Sequence, residues 1–128
     1  MVVVGLALAG VAALLHMYVF VLESLVWTGP RARATFGTTP AEAETTRPLA
    51  FNQGFYNLFL AVETGLGIVL VAAGRTAVGA TLVLVGAGSM VAAGLVLLLS
   101  DRTKARAALV QLGVPLLAVA ALTTGLLV

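Results

Sequence analysis

Two carboxylates, one histidine and a cluster of amides sit within stretches otherwise built from Leu, Val, Ala and Gly, and they are the residues that could do chemistry. His16, Phe20, Glu23 and Trp27 fall at i, i+4, i+7 and i+11, a single helical face. Asn52, Tyr56, Phe59 and Glu63 form one stripe of a later helix, and Gln53, Asn57 and Thr64 the stripe beside it. A carboxylate in such surroundings can hold a proton or a cation, a histidine can relay a proton near neutral pH, and amides and a phenol can orient a ligand. The same groups can also serve as locks. Glu23 can accept hydrogen bonds from Asn57, Gln53 or Tyr56 and pin two helices together, and His16 can donate to a backbone carbonyl or to Glu63.

Other chemistries find no residues. There is one histidine and no cysteine, so thiol catalysis, thiolate metal sites and disulfides are excluded. No Ser or Thr stands in a recognisable catalytic motif, which leaves no nucleophile–base pair. No carboxylate lies three or four residues from His16, so no metal site is assigned and no cofactor is expected. Gly86-Ala87-Gly88 is flanked by apolar runs, and with Gly79, Ala93 and Gly94 it reads as a close-packing face and not a phosphate loop.

The elements that must position these groups follow from composition. Of the 128 residues, 61% are hydrophobic and 9% charged, against roughly 25% charged in a soluble domain. The solvent expected is lipid, and the charges, lying in loops beside apolar runs, give no sign of nucleic acid. A bilayer core about 30 Å thick is crossed by roughly 20 apolar residues in a helix. Four stretches qualify, at about 2–26, 52–73, 77–99 and 107–128, within one domain. The fold class is therefore all-α, an integral membrane four-helix bundle. The first stretch has no basic flank before it and is too long for a signal h-region, so it is expected to be a retained helix.

Between the first two stretches lies segment 27–50, the one long polar region. Trp27 suits a membrane-interface position and Gly29-Pro30 stops the first helix. Thr39-Pro40-Ala41-Glu42 has the form of a capping box with Pro at N1, which predicts a short cytoplasmic helix over about 40–46. Pro48 then either ends that helix or kinks it into the next. Arg31, Arg33, Arg47, Arg102, Lys104 and Arg106 all lie in loops on one side, against Arg75 alone on the other. That imbalance predicts cytoplasmic loops there, with both termini outside the cytoplasm.

Counting inward at 1.5 Å per residue puts Glu23 roughly 5–8 Å into the bilayer, level with Gln53, Tyr56 and Asn57. His16 and Glu63 come out near mid-membrane, so antiparallel helices could close two polar layers. Gln111, in the fourth helix, could reach the layer at the cytoplasmic side. Small residues at Gly5, Ala9 and Ala12 extend the polar face of the first helix and point it into the bundle.

The run Leu15-His16-Met17-Tyr18-Val19-Phe20-Val21-Leu22-Glu23, followed by Trp27, Pro30-Arg31 and Phe36-Gly37, resembles a group of small bacterial membrane proteins called domain of unknown function 1304. The resemblance continues through Leu49-Ala50, Asn52-Gln53-Gly54-Phe55-Tyr56-Asn57 and Phe59-Leu60-Ala61, and ends with Val110-Gln111-Leu112-Gly113-Val114-Pro115. It implies a four-helix inner-membrane protein whose characteristic positions include His16, Glu23, Trp27, Pro30, Arg31, Phe36, Asn52, Gln53, Gly54, Tyr56, Asn57 and Gln111; Glu63 is not among them.

The function expected is binding or transport of a proton, cation or small amphipathic molecule through Glu23, with His16, Gln53, Tyr56 and Asn57 shaping the site. Phe20, Trp27, Asn52, Glu63 and Gln111 support it. Four helices give too little wall for a closed pathway, so a homo-oligomer is expected. The alternatives are an accessory membrane subunit whose cytoplasmic segment docks a partner, and a membrane enzyme acting on a lipid or quinone.

Overall fold

The computed structural model describes residues 1–128, and every ordered element in it is helical. Helix α1 (Val2–Phe20) runs directly into a π-helical turn, Val21–Leu25. A short helix α2 (Pro30–Phe36) follows, then α3 (Pro40–Ala72), α4 (Thr76–Ser100), a 3-10 turn (Arg102–Lys104) and α5 (Ala105–Leu127). Four of these helices, counting α1 with its π turn as one, are long and apolar enough to cross a membrane, which makes this a multi-pass membrane protein.

Two expectations about segment 27–50 need correction. The capping box is present, with the Glu42 amide donating to Thr39 Oγ1 at 3.2 Å and the Thr39 amide donating to Glu42 Oε2 at 2.8 Å. The helix it starts does not stop near residue 46, however; it continues through Pro48 to Ala72 as one rod, so the second long helix begins at Pro40 and not near residue 52. Proline removes one amide donor but does not force a break where neighbours brace the helix on both sides. Here Trp27 Nε1 donates to Thr46 Oγ1 at 3.1 Å and Ala43 is buried, so the first turns of α3 are held in place before Pro48 is reached.

The separate short helix lies instead at Pro30–Phe36. Pro30, read as a stop, occupies N1, where its missing N–H has no consequence. Gly37 closes the helix in the left-handed region (φ 67°), its amide bonding back to the Arg33 carbonyl. Trp27 and Phe36 stack with ring centroids 5.2 Å apart, within an apolar cluster of Val19, Leu22, Ala32 and Phe36. Lys104 Nζ donates to the Phe36 carbonyl, which ties α2 to the turn between α4 and α5.

The long helices form a ring in which α1 packs on α3 and α5, and α4 packs on the same two from the opposite corner. The centre is filled by small side chains: Ala9, Ala12, Ala87 and Ala118 are wholly buried around Val83, Met90 and Leu122. Small residues allow backbones to approach closely, the usual basis of helix association in lipid. The larger apolar side chains point outward, among them Leu14, Phe59, Val69, Leu95 and Leu117. On the predicted close-packing face of α4, Gly79, Gly86, Ala87 and Gly94 are buried, whereas Gly88 has open space beside it and Ala93 is exposed.

Candidate functional site

The polar centre is built where α1 changes pitch. In the π turn the Val26 amide reaches back five residues to the Val21 carbonyl, at 3.1 Å. Such one-turn bulges re-aim side chains and recur at functional sites. Glu23 sits in the middle of this turn and is only 8% exposed. Its Oε2 accepts from Asn57 Nδ2 at 2.7 Å, a bond that joins α1 to α3. The same Asn57 nitrogen also donates to the Gln53 carbonyl at 3.2 Å, one turn back on α3, which fixes the amide in the orientation that serves the carboxylate.

Close approach of the two helices here depends on Gly54. A Cβ at that position would lie 3.0 Å from the Ser24 amide nitrogen and 3.1 Å from Glu23 Cβ, and would collide with the Ser24 hydroxyl. Ser24 Oγ donates to the Phe51 carbonyl at 2.8 Å, a second tie between the helices beside the first. Phe20 meets Phe55 edge-to-face with centroids 5.1 Å apart, a further contact between the two helices one turn before Glu23. A cleft of about 480 Å³ opens on the other side, with Glu23, Ser24, Trp27, Arg47 and Asn52 in its walls. The carboxylate is thus covered by protein yet borders a polar opening.

Of the residues assigned to this site from sequence, Glu23, Asn57, Phe20, Trp27 and Asn52 come together at it. Three assignments are corrected. Tyr56 is 63% exposed and turned away, because on a continuous helix it lies about 100° round from Asn57. Gln53 offers its backbone carbonyl while its side chain is exposed. Gln111 lines a different cleft, beside Arg31 and Arg106.

The mid-membrane layer does not close as a pair either. His16 is 3% exposed, and its Nδ1 bonds the Ala12 carbonyl on its own helix at 3.0 Å, so Nδ1 carries the proton. Glu63 is half-buried and has no hydrogen bond to His16. No group of three His, Asp or Glu side chains converges.

Ser24 and Thr46 complete the site although sequence reasoning gave them no part in it, and Gly54, marked from sequence only as a characteristic position of the resemblance, proves to be the point of close approach. Ser24 lies beside Glu23 in the π turn and meets Gly54 across the helix interface, a contact between residues 30 positions apart in the chain. Outside the membrane, Asp101 accepts from the Thr103 hydroxyl and, secondarily, the Thr103 amide, which hold its carboxyl below the usual range.

A family model described as "Protein of unknown function (DUF1304)" matches residues 10–123. No curated protein and no solved structure matches the chain.

Proposed function

Because this chain belongs to the DUF1304 family, whose description gives no activity to carry over, we propose a function from the site alone: the protein binds, and as an oligomer moves, a proton, a cation or a small cationic amphiphile at Glu23. One observation carries this reading. The Glu23 carboxylate is buried against an amide, with no cation bonded to it, on the wall of a polar cleft. Arg47 lines the same cleft but forms no ion pair with Glu23, and a carboxylate removed from water with no bonded cation is costly, a cost relieved by taking a proton or by drawing a cation in through the opening. Asn57 can serve both forms, since its amide donates to a charged or a neutral carboxyl oxygen.

The centre of the bundle is filled by small side chains, so a passage across the membrane requires a second copy beside the first. The excess of cations in the two loops favours a bacterial inner-membrane orientation with those loops in the cytoplasm and both termini outside. A reporter active only in the cytoplasm, fused after Val128, is expected to stay silent; activity there would reverse the orientation.

Glu23→Gln tests the function directly, because glutamine can still accept from Asn57 but cannot titrate. Purified variant and parent should elute alike in detergent. In vesicles with a trapped pH indicator, the parent should release protons on addition of tetraphenylphosphonium and the variant should not. Equal behaviour of the two proteins would remove Glu23 from any charge-bearing role. The reading then favoured is an accessory subunit, since the Trp27–Thr46 and Lys104–Phe36 bonds hold the segment outside the membrane rigid enough to dock a partner.

A further inference from the structure

A second cleft, of about 410 Å³, shares no lining residue with the one at Glu23. It lies between the end of α1, the short helix α2 and the start of α5. Its floor is apolar, from Leu15, Val19, Leu22 and Val110, and its rim carries Arg31 and Arg106. No carboxylate lines it. The Arg31 guanidinium stands over the Tyr18 ring, 5.9 Å from the centroid, so a side chain with many rotamers is held at the rim.

Two cations above an apolar trough, at the end of a membrane bundle, form a pattern complementary to one kind of molecule. We infer that this cleft is a binding site for an anionic phospholipid, with the headgroup phosphate between Arg31 and Arg106 and an acyl chain along Leu15, Val19 and Val110.

The chemistry supports each half. Guanidinium groups bind phosphate oxygens through paired N–H donors, and basic pockets between membrane helices take anionic headgroups. Val110 in the cleft lining is itself exposed, and next to the lining residues Leu15 and Val110 in sequence stand the exposed Leu14 and Leu109, so apolar surface lies close by for a chain leaving the cleft. The site is also shaped by contacts that do not depend on a ligand. Phe36 is packed against Trp27, and its carbonyl is held by Lys104, which keeps α2 over the cleft and sets its width. A free anion would use only the rim and leave the apolar floor uncovered.

Native mass spectrometry of the full-length protein, exchanged into detergent with phosphatidylglycerol or phosphatidylcholine, tests this. The parent should retain phosphatidylglycerol at least tenfold more than phosphatidylcholine. Arg31→Gln combined with Arg106→Gln should abolish that preference. Arg75→Gln combined with Arg102→Gln removes the same charge away from the cleft and should leave it intact. Ala34→Trp, which adds bulk to the cleft lining and keeps both arginines, should reduce lipid retention by a similar factor, with elution in detergent checking the fold of each variant. Three results overturn the inference. One is equal retention of the two lipids, and another is equal loss in both double variants, which would mark a diffuse charge effect. The third is displacement of the lipid by millimolar inorganic phosphate together with full retention in Ala34→Trp, which would mark a site for a free anion.

Discussion

Gly67→Leu is expected to separate α3 from α4 and to lower the stability of the bundle by about 3 kcal/mol, at the upper end of what overpacking a close contact costs. The two helices meet backbone to backbone at this level. A Cβ on Gly67 would stand 2.7 Å from the Gly79 carbonyl oxygen and 2.8 Å from the Val83 nitrogen, and a Cβ on Gly79 would stand 2.6 Å from the Gly67 carbonyl oxygen. Backbone atoms cannot swing aside as the tip of a flexible side chain can, so the helices themselves must move. Gly65 supplies the comparison, because a Cβ there meets nothing within 4 Å. Gly65→Leu, two residues away and of identical chemistry, should change stability by no more than about 0.5 kcal/mol. Unfolding both variants in mixed detergent micelles reads the difference directly. Similar losses in the two would mean that the α3–α4 contact is not where the structure puts it.

Asn57→Leu should cost about 2 kcal/mol, and adding Glu23→Leu should restore most of it. The single change leaves Glu23 buried with no donor, and an unsatisfied buried acceptor loses its full hydration without compensation. Replacing both partners by apolar groups of similar size removes the demand altogether, which is close to neutral in such pairs. The double-mutant cycle therefore predicts a coupling of about 2 kcal/mol of opposite sign to the single loss. Interhelical hydrogen bonds in lipid contribute roughly 0.6–2 kcal/mol, so an ionisable acceptor should sit at the upper end of that range. Additive losses would show that the 2.7 Å bond does not hold the helices together.

The four long helices were legible because lipid leaves few alternatives: an apolar run of sufficient length has to be helical to satisfy its own backbone. The Thr39–Glu42 capping box was legible because its pairing is local, three residues apart. Glu23 facing Asn57 could be read because each is a polar group the hydrocarbon would reject, so both must turn inward. What escaped depends on contacts distant in sequence. Continuation through Pro48 relies on Trp27 reaching Thr46. Pro30 is equally suited to ending one helix or opening another, and Gly37 and the Trp27–Phe36 stack decide between them. The π turn shifts every residue after Val21 relative to an ideal helix, which no count in steps of 3.6 residues reveals. Ser24, within that turn, lies against Gly54, while Tyr56, one of three partners the sequence offers Glu23, faces outward.

At 1.5 Å per residue the 33 residues of α3 span about 50 Å, well beyond a hydrocarbon core of about 30 Å. Its leading turns therefore stand clear of the bilayer as a stiff lever, with Asn57 partway along the shaft. No loop separates those leading turns, held by Trp27 at Thr46, from the amide that grips Glu23, so the carboxylate and the outer arm share one unbroken helix.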